Sequence, residues 1–272
     1  MDLTIIRISR PRFWLYTAGP VFLGAVFADP LSFLSLPLLI TFFWFLVPAN
    51  IFLYGVNDLA DRDTDRFNPK KGTREHLLRD RERRRLITAI LVSLALFIPV
   101  AAFSDPVTLG FFVAFIILGG AYSLPPRFKA IPVLDAASNI LYALPGLGAY
   151  VLASGTLPSL PAALAAFSWT AAMHWMSAIP DIDADRKAGL STSATLFGLR
   201  ASLIGVSLLW SLCLLFASFA GLHPIVIVIG LVYPLIPLML LRTPSRVERA
   251  YWRYPWINAI IGFILFLAAV FA

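Results

Sequence analysis

The chain is short of the residues that staple or solvate a water-soluble domain. It has one cysteine in 272 residues, Cys213, set inside an apolar stretch. That excludes a disulfide framework and a thiolate metal site. Charged residues make up only 14% of the chain, well below the roughly 25% of soluble globular domains. Acidic residues number 15, and the loops around Asp29, Asp105, Gly155 and His223 contain no Lys or Arg. Arg7, Arg10 and Arg12 precede the first apolar run, but no convincing small-residue cleavage site follows it, so a removable signal peptide is not expected. Low-complexity linkers are also missing, and a single domain over residues 1–272 is expected.

What the chain has is apolar length. Hydrophobic residues account for 59% of it. Nine apolar segments lie near residues 12–28, 33–57, 86–104, 107–123, 131–153, 158–180, 199–221, 223–241 and 255–272. Most reach the ~17–25 residues needed to cross a bilayer as helix. The expected fold class is therefore all-α, a polytopic membrane protein with nine transmembrane helices. All 22 Lys and Arg lie before the first segment or in the loops after the second, fourth, sixth and eighth. By the positive-inside rule the N-terminus and those loops face the cytoplasm, and the C-terminus lies outside. Part of the basic excess suits anionic lipid headgroups. Nucleic acid is not an expected partner, because the charges are spread among membrane-edge loops.

Against this background the acids are concentrated. Asp58, Asp61, Asp63 and Asp65 follow the second apolar segment, and Asp181, Asp183 and Asp185 follow the sixth. Carboxylates are costly at a membrane boundary and are usually functional there. Projected on a regular helix at about 100° per residue, Asn50, Tyr54, Asn57, Asp58, Asp61 and Asp65 share an arc of about 100°, with Asp63 on the other side. The same projection groups His174 with Asp181 and Asp185 and turns Asp183 away. Carboxylates one turn apart repel, and burial raises their pKa values further unless cations arrive. Mg²⁺ answers both problems, and it characteristically takes one or two carboxylates together with phosphate oxygens and water. Either cluster alone also reads as a solvated helix end with incidental acids; two on one side favour a joint site for Mg²⁺ and a diphosphate.

The two elements resemble the paired signatures of the UbiA-type intramembrane prenyltransferases, Asn-Asp-x-x-Asp-x-x-x-Asp and Asp-x-x-x-Asp. They are matched without gaps at Asn57, Asp58, Asp61 and Asp65, and at Asp181 and Asp185. A third element, Tyr122-Ser-Leu-Pro-Pro-Arg127-Phe-Lys129, is similar to that family's Tyr-Ser-x-Pro-Pro segment. The resemblance implies nine helices around a central active-site cavity. Asp58, Asp61, Asp65, Asp181 and Asp185 would be metal ligands, with two Mg²⁺ ions bridging a prenyl diphosphate and a lipophilic acceptor as partner. It implies catalytic parts for Asn57, Tyr122, Lys129 and Asn139. Substrate contacts would come from Asn50, Tyr54, Lys70, Lys71, Arg74, Arg127, Tyr142, His174 and Arg186. Several of these have a second reading. Arg127 and Lys129 either clamp diphosphate oxygens or belong to a proline-stiffened turn. Lys70, Lys71 and Arg186 either bind diphosphate or decorate a solvated loop. The family often has an Arg-Pro pair where this chain reads Asn68-Pro-Lys-Lys-Gly-Thr-Arg74, which leaves Arg74 open. Asp135, Asn139 and Tyr142 form a polar stripe that faces either a cavity or another helix. His174 is either a satisfied interior histidine or a base.

The stretches Pro48–Asp58, Asn68–Gly72 and Ile179–Thr192 are most similar to the lycopene elongase branch, which adds dimethylallyl units to an acyclic carotenoid. No Lys or Arg lies inside a span to anchor a benzoate, which suits a polyene acceptor but also a chlorophyll, quinone or ether-lipid one. Membrane alcohol phosphotransferases also use aspartate-rich metal sites, but their Asp-x-x-Asp-Gly-x-x-Ala-Arg pattern is absent. A non-enzymatic cation-binding or transport protein would instead place carboxylates at mid-span.

Overall fold

The computed structural model describes residues 3–65, 72 and 75–271, the side chains of Asp63 and Thr64 apart. The described residues are helical, and every one of the nine apolar segments falls on helix. Among them, five helices are long and apolar enough to cross a membrane. The count is six if the pair Pro244–Tyr251 and Tyr254–Val270, bent by 55°, is one span. The remaining segments are helices that are shorter or less apolar, such as Trp14–Ala28. The chain divides into two compact units, one of residues 1–126, 144–157 and 268–272, the other of residues 127–143 and 158–267.

In the first unit, helix Trp14–Ala28 crosses helix Leu144–Ser154 where two glycines meet. A Cβ on Gly24 would overlap the carbonyl oxygen of Gly146, and one on Gly146 would lie 2.7 Å from that of Pro20. Small residues allow this approach, and dispersion then replaces the hydrophobic drive that lipid cannot supply. Helices Leu36–Leu46 and Pro48–Ala60 meet at a break at Val47. Pro48 supplies no N–H to the preceding turn, so the helix bends there. The side chain of Asn50 closes the break, its Nδ2 donating to the carbonyls of Phe45 at 2.9 Å and Leu46 at 3.0 Å, and to Thr17 Oγ1 at 2.7 Å. Around it pack the buried rings of Trp44, Phe45, Phe112 and Phe115, with Phe45 and Phe115 edge to face at 5.1 Å.

In the second unit, helix Leu160–Ala178 packs on helix Ser193–Phe219. Trp175 lies against Gly205, where a Cβ would come within 2.5 Å of its ring, and its Nε1 donates to Ser202 Oγ at 3.1 Å. Trp210, Tyr233 and Tyr254 form a buried aromatic cluster, with Trp210 5.2 Å from each of the two tyrosine rings.

The glycine crossing should be intolerant of a single methyl. Gly146→Ala is expected to destabilise the first unit by about 1–3 kcal/mol through overpacking. A lowered unfolding temperature of the detergent-solubilised protein reports it, and unchanged stability would mean that the two helices can move apart freely.

Candidate active site

The first acid motif sits at the end of helix Pro48–Ala60. Regular helix stops there: Asp61 adopts φ −100°, ψ 4°, and a separate short helix covers Arg62–Asp65. The projection of residues 50–65 on one regular helix is corrected accordingly. One-turn spacing nonetheless survives across the break, because Asp61 N donates to Asn57 O at 3.0 Å and Asp65 N to Asp61 O at 2.8 Å. Asp58 is buried, its side chain 2% exposed, whereas Asn57, Asp61 and Asp65 are half-buried. Asn57 Nδ2 donates to Ser123 Oγ at 3.0 Å, tying the motif to the end of helix Pro106–Ser123.

An arginine joins this motif that the sequence reading had counted only as membrane-side charge. Arg10 Nη2 donates to Asp58 Oδ1 at 3.0 Å and lies 3.1 Å from Glu75 Oε2. Arg12 Nη2 reaches Glu75 Oε1 at 2.7 Å. The Arg10 guanidinium lies 4.6 Å from the centroid of the Tyr54 ring, so Tyr54, expected to touch substrate, is covered on one face by this cation. Burial works against the charge of Arg10, but Glu75 and Asp58 outweigh it and hold the proton more tightly than water would. No sequence spacing signals a contact between residues 48 positions apart.

Other expected site residues fall into three groups. Asn50 has its amide nitrogen committed to the helix break described above. Lys70, Lys71 and Arg74 lie outside the described residues. Tyr122, half-buried, sits in the last turn of helix Pro106–Ser123, and a cis Pro125–Pro126 bond follows it. Arg127, with φ 61°, and Lys129 stand in a tight turn that opens the second unit, both half-buried.

The second acid motif follows helix Leu160–Ala178 through a 3₁₀ turn at Ile179–Asp181 and a short helix at Ile182–Lys187. Pro180 has no N–H to continue the α-helical ladder, so the projection from His174 also crosses a change of helix type. Asp181 and Asp185 are half-buried and Asp183 is exposed, in agreement with the outward placement expected for it. Asp183 lines a groove of about 280 Å³ with Arg186 and Glu248. Arg186 is exposed and donates to Thr195 O at 3.3 Å.

The polar stripe of the fifth segment is a seam between helices at its first position, Asp135. Asp135, fully buried, accepts from the backbone N–H of Ser193 at 2.8 Å and from the Ser193 hydroxyl. Val133, at φ 71°, donates its own N–H to Ser193 Oγ at 2.8 Å. A β-branched residue in that conformation is unusual, and the paired bonds hold it. Asn139 is buried and donates to Asp135 O at 2.6 Å, while Tyr142 and His174 are half-buried.

The donor chemistry of both motifs suits a hard cation, since they offer carboxylate oxygens without His or Cys. No cluster of three or more His, Cys, Asp or Glu forms a protein-only cage among the described residues. Mg²⁺ characteristically takes one or two carboxylates and completes its shell with phosphate oxygens and water.

Comparison with known proteins decides the family. The model of the UbiA prenyltransferase family matches residues 17–266. The chain belongs to that family. As a UbiA prenyltransferase it is an enzyme that transfers a prenyl group. It is 42% identical over 268 residues to the lycopene elongase/hydratase of Haloferax volcanii, covering 97% of this chain and 87% of the relative. The Halobacterium salinarum lycopene elongase/hydratase is 40% identical over 268 residues, covering 97% and 95%. The fold is shared with a UbiA homologue from Archaeoglobus fulgidus bound to GPP and Mg²⁺, at a TM-score of 0.74 and 24% identity, covering 99% of this chain and 100% of that one.

Within this UbiA chain, Ser193→Ala should separate scaffold from chemistry. It removes a donor to the buried Asp135 and the acceptor of Val133 N–H, with an expected cost of about 1–3 kcal/mol. Thermal unfolding in detergent measures it; no loss would show that Asp135 does not depend on that hydroxyl.

Proposed function

We propose that this prenyltransferase moves a dimethylallyl group from its diphosphate to the ends of an acyclic carotenoid such as lycopene. The observation that carries the reading is the 42% and 40% identity, over nearly the whole chain, to lycopene elongase/hydratases. Asp58, Asp61, Asp65, Asp181 and Asp185 are assigned to the Mg²⁺–diphosphate. When bound, two Mg²⁺ ions would neutralise charge developing on the leaving diphosphate, the electrostatic stabilisation that ionisation of an allylic ester needs. Arg127 and Lys129 would add donors to the same oxygens, together with Lys70, Lys71, Arg74 and Arg186 where they reach. Asn57, Tyr122 and Asn139 are assigned to orienting the reacting groups, and His174 and Tyr142 to the substrate chamber. Aliphatic and aromatic side chains would keep water from the allylic cation. Attack by the acceptor's terminal alkene on that cation forms the new carbon–carbon bond and leaves a cation on the product. The product cation loses a proton to give an alkene, or adds water and loses a proton to give a hydroxylated product.

Nine membrane passages, with the N-terminus and both acid motifs on the cytoplasmic face, complete the proposal. Support comes from the 22 basic residues that all fall on one set of loops.

Two measurements test the reading. Asp61→Ala and Asp181→Ala should each lower turnover about 10²-fold or more, if each carboxylate contributes ~3 kcal/mol to charge stabilisation. Wild-type turnover in either variant would remove that motif from the site. Expression in a lycopene-producing host should yield carotenoids heavier by one or two five-carbon units, with or without added water. An unchanged pigment mass profile, alongside prenylation of a supplied aromatic acid, would sink the carotenoid acceptor and leave the family intact.

A further inference from the structure

Arg10 is held in a conformation that its own backbone does not favour. Its φ of 51° and ψ of 71° lie in the left-handed region, which crowds the Cβ against the following carbonyl oxygen. Pro11 follows and disfavours right-handed helix at Arg10, so the helix Leu3–Ile8 cannot run on. What the turn achieves is the placement of one guanidinium. Arg10 Nη2 spans Asp58 Oδ1 at 3.0 Å and Glu75 Oε2 at 3.1 Å, and the Tyr54 ring supports the same group from 4.6 Å. Glu75 is itself anchored from the other side by Arg12 at 2.7 Å. The chain thus runs Asp58, Arg10, Glu75, Arg12, with charge alternating at every step.

We propose that Arg10 is a positioning residue for the first acid motif: it fixes the plane and charge of Asp58 and holds Glu75 beside that motif. The inference rests on the reading of Asp58, Asp61 and Asp65 as the Mg²⁺–diphosphate motif. A cation 3.0 Å from a metal ligand could instead compete with the metal. The substrate decides between these effects. A prenyl diphosphate carrying one Mg²⁺ is still an anion, so Arg10 does not repel the complex that arrives. Asp58 is almost wholly enclosed, where a charged donor at 3.0 Å offsets the cost of burying its charge and restricts the directions its carboxylate can face.

The test uses the full chain in lipid nanodiscs, with Mn²⁺ as the spectroscopic probe for Mg²⁺. Binding is read by electron paramagnetic resonance, with and without dimethylallyl diphosphate. Arg10→Gln should weaken Mn²⁺–diphosphate binding about 10-fold or more, the usual effect of removing a partner that orients a ligand. Arg10→Lys should recover most of it, because both carboxylate contacts leave from one nitrogen and an ammonium can serve both. Glu75→Gln should act in the same direction, and the double variant R10Q/E75Q should be no weaker than R10Q alone, since Glu75 acts through Arg10. If R10Q does not fold, Mn²⁺–diphosphate binding by R10K and E75Q carries the comparison.

Wild-type or tighter Mn²⁺–diphosphate binding in R10Q would overturn the positioning role, as would fully additive effects of R10Q and E75Q. Asp61→Asn supplies the separate check. Loss of binding there with none in R10Q refutes the part given to Arg10 and keeps the Mg²⁺ site. Unchanged binding in Asp61→Asn refutes the Mg²⁺ reading and the positioning role that rests on it.

Discussion

A carboxylate at the end of an apolar helix stays charged only where donors or a cation replace the water it has lost, and this requirement shapes the helix ends of both units. An isolated buried charge is costly enough that it would rather neutralise. Two solutions occur. In the second unit, Asp135 is satisfied by a backbone N–H and a hydroxyl at the start of the 193–219 helix, which is helix capping carried out from another segment. In the first unit, Asp58 is met by the full charge of Arg10. The remaining motif acids, Asp61, Asp65, Asp181 and Asp185, are only half-buried. They stand where solvent still offsets part of the cost of their charge.

The helix breaks serve the same requirement. A helix that continued straight past Ala60 would line up carboxylates one turn apart on one face and accumulate their repulsion. Ending regular helix at Asp61 changes the axis while two backbone bonds preserve the one-turn step. The turn at Pro180 does the equivalent for the second motif. Upstream, Pro48 bends the same span, and Asn50 satisfies the carbonyls that the bend exposes. Asn50 therefore looks like a motif residue in sequence because it is polar on the acid face, yet its amide nitrogen answers a backbone demand.

Much of this was legible in the chain before its fold. Apolar length located helix in all nine segments, because long apolar runs bounded by polar turns leave a strong local signal; of the described helices, five or six are long and apolar enough to cross a membrane. The acid motifs and the outward Asp183 could be read from one-turn spacing, which is a local property. The failures were all non-local or depended on breaks. The angular projection assumed helix through Asp61 and Pro180. Arg10 looked like ordinary membrane-side charge because its partners, Asp58 and Glu75, are distant in sequence. Asp135 reads equally well as cavity or seam from sequence, because its partner Ser193 lies 58 positions away.

Donor and acceptor chemistry differ in how they can be read at all. Diphosphate recognition rests on directional charges, so it leaves fixed residue types at fixed spacings. An apolar polyene is recognised by dispersion and exclusion of water, which are non-directional and spread over many side chains. Discrimination among apolar ligands is small per contact, on the order of 1–3 kcal/mol for a methylene, so no single residue need reveal it. A fold shared at 24% identity accordingly says little about the acceptor. Identity of 42% over 97% of the chain extends far beyond the two aspartate motifs, and the proposed acyclic carotenoid acceptor rests on that breadth.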